Sequence, residues 1–585
     1  MRRLYQYIHP YRGLFVLSLA CLPLTSLFTL AQPYILKLAI DRYIANRDAA
    51  GLSTMGLLYA ASVVGDFAFF YLQYYLTMLV AQKSLADLRM HLFAHVQTLP
   101  AAFFDRNPVG RVLTRLTTDV DVINEMFSAG AMTILMDVVT LLGIVVIMMT
   151  INARLALVTL SLLPLMVLAI NFFRLRARES YRLIRERIAR LNAYLQEAIS
   201  GMAVIQLFAR EDKTFRLFDQ LNDSHREANH WSNIYEAMLF SMIEAVSAIS
   251  IALIVWYGGG QIVAGVFAFG TLVAFIEYVQ KFFVPIRDFS TKYAVMQSAM
   301  TAAERVFQLL DTPATITSAV NARVPEHASG RIEFEHVSFA YKNEDWVLRD
   351  VSFVIAPGEK IAIVGATGAG KTSIIKLLNR TYDTTRGRVL VDGVDVREWN
   401  LAALRRRIGV VLQDVFVFSG SITENLTLGR AEITAATVER AATIVNAHRF
   451  IERMAGGYHA PLRERGNNIS TGQRQLLAFA RALAHDPAIL VLDEATASVD
   501  TETELLIQDA LEKLMAGRTA VVIAHRLSTI EHSDRILVMH HGQLRESGSH
   551  AELIAQRGLY FRLYQLQYNR PAAAAPAELR AGAAK

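Results

Sequence analysis

The sequence predicts an α-helical six-span transmembrane domain with long cytoplasmic helical extensions, followed by an α/β domain. Three observations carry this. Charged residues make up 19% of 585 positions, where a soluble chain carries about 25%. Nearly uncharged runs of membrane-spanning length recur through the first 280 residues. From Arg331 the pattern changes to short apolar strands alternating with helical segments. A disordered or collagen-like chain is excluded.

Residues 13–36 carry no charge over 24 positions, more than the ~20 needed for a spanning helix. Arg2 and Arg3 could head a signal peptide, but the apolar run is too long and no small-residue cleavage site follows. Residues 49–82 carry only Asp66, 130–153 only Asp137, and 155–173 no charge. Residues 237–280 carry Glu244 and Glu277, and Gly258-Gly259-Gly260 divides them into two spans. With the N-terminus inside, the cytoplasmic segments hold 19 Lys and Arg and the outer segments 4. Both termini are therefore expected in the cytoplasm. The net charge of +6 reads as basic loops beside anionic lipid, so nucleic acid is not the expected partner. The one cysteine, Cys21, cannot form an intramolecular disulfide and reads as a small packed hydrophobe. RRLYQYIHPYR at the N-terminus fits a short amphipathic helix on the inner membrane surface.

Segments 83–129 and 174–236 are long and poor in breakers, so they read as membrane helices that continue into the cytoplasm and fold back. Asn107-Pro108 marks a turn in the first. Asp311-Thr312-Pro313 opens a linker over 311–330, and the α/β domain runs over 331–568. The tail 569–585 is rich in Ala and Pro and reads as disordered.

Gly365-Ala366-Thr367-Gly368-Ala369-Gly370-Lys371-Thr372 fits G-x-x-x-x-G-K-[ST] and lies between the strand IAIVG and the helical SIIKLLNR, which begins at Ser373. Loop amides and a helix N-terminus suit phosphates. Lys371 is expected on the β- and γ-phosphates of ATP and Thr372 on Mg²⁺. The apolar strand ILVLDE ends in Asp493, placed for Mg²⁺, and Glu494, placed as general base on the attacking water. An apolar strand ending in two acids is by itself a weak signal.

The order of motifs resembles an ABC transporter half-subunit of the exporter type, from Arg2 to about Tyr568. The residues carrying the resemblance are Tyr341, the phosphate loop, Gln413, Ile469-Ser470-Thr471-Gly472-Gln473, Asp493-Glu494, Ser498-Val499-Asp500 and His525. In the membrane half, FFDRNPVGRVLTRLTTDVD and EAISGMAVIQLFARE resemble the family's coupling regions, near 103–111 and 199–208. The chain is similar to the multidrug and lipid exporter branch, which includes bacterial homodimers and heterodimers. The resemblance implies that Tyr341 stacks on adenine, that Gln413 contacts Mg²⁺ and the attacking water, and that His525 hydrogen-bonds the γ-phosphate. It implies that Ser470-Thr471-Gly472-Gln473 faces the ATP of a second half-transporter chain, identical or paralogous. The usual family form is Leu-Ser-Gly-Gly-Gln, so Ile469 and Thr471 depart from it. The implied activity is ATP-driven export or leaflet flipping of hydrophobic or amphipathic compounds. An ATP-gated or regulatory subunit and an importer on the same fold are the alternatives. The absence of a long targeting extension favours a bacterial plasma membrane.

Four acids lie in the apolar runs: Asp66, Asp137, Glu244 and Glu277. Buried charge in lipid is costly, so each is a candidate functional group, Asp66 and Glu277 foremost. No Lys or Arg lies within those runs to pair with them. The expectation is a cavity favouring cationic amphipathic compounds; capping and hydrogen bonding within the fold are the plainer role. A lipid headgroup on Arg174, Arg176 and Arg178 is the rival, and the positive-inside bias explains that cluster as well. The aromatics of FAFFYLQYY (67–75) read as packing or a lipid-interface belt.

Overall fold

Runs of helix formers with few breakers fold here as very long helices. The computed structural model describes residues 2–325, 329–493, 501–523 and 530–567. The chain divides into two units, Met1–Gln97 with Val109–Thr312, and Thr98–Pro108 with Pro313–Lys585. The first holds α1 (Arg2–Ile8), α2 (Arg12–Leu38) and α3 (Ala49–Thr98). After α4 (Ala101–Arg106), which belongs to the second unit, it resumes with α5 (Val109–Leu116), α6 (Thr118–Glu125) and α7 (Met132–Leu160). It ends with α8 (Leu163–Ser200), α9 (Met202–Leu207), α10 (Glu211–Leu253), α11 (Gly259–Val263) and α12 (Phe269–Leu310).

Among the described residues, five helices are long and apolar enough to cross a membrane: Arg3–Ile44, Ala49–Thr98, Val109–Leu160, Glu211–Val263 and Phe269–Leu310. The sequence predicts a sixth over 155–173, which is not one unbroken helix. Asn152 leaves helical geometry at φ −160°, ψ 103°. Its side chain caps the next turn by accepting the Leu155 N–H at 2.9 Å. A second break at 161–162 precedes Pro164, leaving Leu163–Phe173 as a shorter apolar helix. The helices do run on beyond their apolar segments. α3 has 50 residues, about 75 Å at 1.5 Å per residue, against a hydrocarbon core of about 30 Å.

The membrane-unit core gathers Leu30, Ile144, Met148, Leu155, Phe275 and Tyr278. Cys21 is buried, in keeping with a packing role. Phe67, Tyr71 and Tyr75 are exposed and stack one turn apart along α3.

One expectation is corrected. Asp137 does have a basic partner, and Asp66 and Glu277 have a lysine nearby, because α12 continues unbroken past residue 280 and carries Lys281 and Lys292. Lys292 pairs with Asp137 at 2.5 Å. Pro33, inside α2, has no N–H for the Thr29 carbonyl four residues back. Lys281 Nζ donates to that carbonyl at 3.2 Å and to Gln32 Oε1 at 2.9 Å. Gln32 Nε2 in turn reaches Asp66 at 3.4 Å, and the Thr29 hydroxyl lies 2.7 Å from the same carboxylate. Farther along α12, Arg305 grips Asp119 of α6 through two nitrogens, at 3.0 and 2.5 Å. Asp311, next after the helix, takes Arg3 of α1 at 2.7 and 2.8 Å.

The second unit is built on strands β1 (Ile332–Ala340), β2 (Trp346–Ile355), β3 (Lys360–Val364), β4 (Arg386–Val391), β5 (Val394–Asp395) and β6 (Ile408–Val411). There follow β7 (Gly420–Ser421), β8 (Pro461–Leu462), β9 (Ile489–Asp493), β10 (Thr519–Ile523), β11 (Arg535–His540) and β12 (Gln543–Gly548). A four-stranded antiparallel sheet has the order β2-β1-β4-β5, and a six-stranded sheet the order β12-β11-β3-β10-β9-β6. β7 and β8 form a small pair. In the larger sheet β6, β9, β10, β3 and β11 run parallel. Ile361, Ala362 and Ile363 are each 0% exposed. Consecutive residues of a strand point to opposite faces, so both faces of this sheet are covered.

Candidate nucleotide site

At the end of β3 the chain turns tightly into α13 (Lys371–Leu378). Gly370 makes that turn at φ 97°, in the left-handed region, and a Cβ there would lie 2.6 Å from Leu348 Cδ2. At the other end of the loop, a Cβ on Gly365 would lie 2.3 Å from the Met539 carbonyl oxygen. β2 and β11 thus crowd the two ends, while Ala366, Thr367 and Gly368 between them are exposed and Ala369 is buried. Lys371 is buried and donates to the carbonyls of Gly365 at 2.7 Å and Ala366 at 3.2 Å. Burial pushes its pKa down, and the Asp493 carboxylate opposes the shift. Thr372 is exposed beside it, and Ser373 is buried one residue on.

The sheet topology gathers the other residues. Val411 of β6 is in register with Leu492 of β9, Leu492 with Val522 of β10, and Val522 with Ala362 of β3. Four neighbouring parallel strands therefore open along one edge at their carboxyl ends. The phosphate loop follows β3, Asp493 ends β9, and Gln413 lies two residues beyond β6, exposed. This edge is where open α/β sheets bind ligands. Glu494 directly follows Asp493, and His525 follows β10 by two residues. Glu494, Ser498, Val499, Asp500 and His525 lie outside the described residues.

Tyr341 follows β1 and is half-buried. Its hydroxyl lies 2.9 Å from Ser373 Oγ of α13, so it is tied to the helix that carries the phosphate lysine. The rings of Phe339 and Tyr382 meet it edge-on, at 4.7 and 5.1 Å between centroids.

The helix Thr471–Ala484 opens on a reciprocal cap. Ser470 Oγ accepts the Gln473 N–H at 3.2 Å, and Gln473 Oε1 accepts the Ser470 N–H at 3.0 Å. Gly472 is buried. Thr471, which replaces the usual glycine, sits at the first helical position, and its hydroxyl accepts from Arg474 Nη2 at 3.0 Å. Arg474 also reaches the Gly466 carbonyl at 3.3 Å and so ties the preceding loop to the helix.

Asp66 and Glu277 lie in the other unit. Asp66 is engaged by Thr29 and Gln32, and Glu277 is half-buried one turn before Lys281. Sequence reasoning missed Lys281, Lys376 and Tyr382, and the part Arg474 plays. Asp105 and Arg106 stood out only as members of the coupling region near 103–111, not as neighbours of Tyr341.

The fold and site define an ATP-binding domain joined to a helical membrane domain. Known families agree: the ABC transporter transmembrane region matches residues 15–286, and the ABC transporter family matches 348–497. The chain belongs to the ABC transporter family and is an ATP-driven exporter that couples ATP hydrolysis to transport. It is 37% identical over 520 residues to the "Probable multidrug resistance ABC transporter ATP-binding/permease protein YheH" of Bacillus subtilis, covering 88% of this chain and 77% of that one. It is 38% identical over 485 residues to the "Fatty acid ABC transporter ATP-binding/permease protein" of Mycobacterium bovis, covering 83% and 76%. Among solved structures, a bacterial Atm1-family ABC exporter with ATP bound superposes with a TM-score of 0.78. That match has 27% identity and covers 96% of this chain and 99% of the other.

Proposed function

We propose that two such half-transporter chains, identical or paralogous, form one exporter that moves hydrophobic or amphipathic compounds, drugs or lipids, out of a bacterial inner membrane by alternating access. The observation that carries the proposal is the shared edge of β3, β10, β9 and β6, which brings the phosphate loop, Asp493 and Gln413 to one line. The sixth span is the stretch 155–173, interrupted at 161–162, and the basic loop residues support both termini lying inside.

ATP lies along that edge. Lys371 gives up its loop carbonyls for the β- and γ-phosphate oxygens, and Tyr341 stacks on adenine. The loop amides of Gly365 to Ser373 hold the phosphates. Thr372, Gln413 and Asp493 present a hydroxyl, an amide oxygen and a carboxylate, an oxygen-only set that suits Mg²⁺. Magnesium, bound there with the nucleotide, neutralises charge on the phosphates. Glu494 takes the proton of the attacking water, and His525 orients that water and the γ-phosphate. Ser470, Thr471, Gly472 and Gln473, with Asp500, close over the nucleotide of the other chain. The segments near 103–111 and 199–208 carry that closure to the membrane helices; the tail 569–585 lies outside the described residues. The multidrug and fatty-acid relatives support an apolar or amphipathic cargo.

The test is ATPase activity and particle mass of the chain purified alone in lipid nanodiscs, beside Glu494→Gln. The expected result is a two-copy particle whose turnover falls at least about a hundredfold in Glu494→Gln. A monomer, or a dimer without Glu494-dependent turnover, would leave only the paralogous-partner form.

A further inference from the structure

The segment 98–108 folds with the ATP-binding unit although both its neighbours along the chain, α3 and α5, belong to the membrane unit. Its contacts converge on Tyr341. Arg106 Nη2 donates to the Tyr341 carbonyl at 3.0 Å. The Tyr382 hydroxyl donates to Asp105. The Lys376 ammonium lies 3.9 Å from the same carboxylate. It also lies 5.1 Å from the Tyr341 ring centroid and 5.5 Å from that of Tyr382. The two tyrosine rings stand at 89° to one another. Lys376 is on α13, the helix that begins with Lys371 and binds the Tyr341 hydroxyl through Ser373.

Tyr341 is thus held at its hydroxyl, its ring and its backbone. The hydroxyl contact belongs to the phosphate-binding helix. The backbone contact, and the charge that balances Lys376 beside the ring, come from a segment continuous with two membrane-unit helices. We propose that Asp105, Tyr382 and Lys376 are positioning residues for Tyr341, through which the 98–108 segment sets the affinity for ATP. Coupling of this kind is reciprocal: whatever displaces the segment changes nucleotide affinity, and nucleotide binding biases the segment. The inference rests on the reading of Tyr341 as the adenine platform.

The experiment measures KM for ATP and kcat of the full chain in nanodiscs. Asp105→Asn keeps an acceptor without the charge, and Tyr382→Phe keeps the ring without the hydroxyl. Each is expected to raise KM about three- to tenfold, the net effect of one ordinary hydrogen bond, with kcat within about twofold. Tyr341→Ala is expected to raise KM at least as much, and adding Asp105→Asn to it should change nothing further. Should Tyr382→Phe fail to fold, Lys376→Met takes its place. If Tyr341→Ala raises KM while the others leave it within about twofold of wild type, the positioning role is overturned and the adenine platform stands. Additive effects of Asp105→Asn and Tyr341→Ala overturn it too, because Asp105 would then act independently of Tyr341. An unchanged KM in Tyr341→Ala removes the platform, and the inference with it.

Discussion

Thr471 shows how a departure from the usual motif is absorbed. Its branched side chain would restrict a residue that needs unusual backbone angles, yet it occupies an ordinary first helical position and holds Arg474. Thr471→Gly is therefore expected to destabilise the chain by about 0.5–1.5 kcal/mol, and Thr471→Ser to cost less, as read from thermal unfolding. His485 ends the same helix, with Nε2 3.2 Å from the Leu426 carbonyl. Burial, with Arg430 and Arg481 nearby, holds its pKa below the ordinary 6.5. The folded chain thus keeps a neutral ring that the unfolded chain protonates. The stability this gives is complete above the ordinary value and is lost as pH falls toward the folded one. Between about pH 7.5 and 5.5 the wild type should lose more melting temperature than His485→Gln, and equal losses would refute the role.

The junction of α2 and α12 is set by one missing hydrogen. Pro33 leaves the Thr29 carbonyl without its helical donor, and Lys281 supplies one from another helix. Lys281→Met should cost about 1–2 kcal/mol, the price of a half-buried carbonyl left unpaired. Adding Pro33→Ala restores an N–H four residues on and should recover most of that loss. Thermal unfolding of the two variants in nanodiscs checks it; a double variant no more stable than Lys281→Met alone would refute it. The sequence displayed both residues, but nothing in their spacing linked position 33 to 281. The helix carrying the lysine was also hidden, since a charge count stops a span at the first lysine whereas the hydrogen-bond ladder continues through it.

Across the whole chain, legibility followed sequence distance. The phosphate loop was readable because strand, glycines, lysine and helix are contiguous, and the apolar runs because each span is a single local run. The interruption at Asn152 and 161–162 was not, because a cap and a turn cost the hydropathy of a run almost nothing. The group around Tyr341 was equally opaque, joining residues 105, 341, 376 and 382 by contacts that leave no periodic trace. The length of α3 has a mechanical consequence. Beyond the apolar run 49–82, residues 83–98 of α3 extend about 24 Å. A rod of that overhang pivoting by about 10° at the end of the run swings its tip through roughly 4 Å. That exceeds the ~3 Å reach of a hydrogen bond. A tilt too small to disturb side-chain packing in the bilayer is thus magnified, at the far end, into a step long enough to make or break a polar contact.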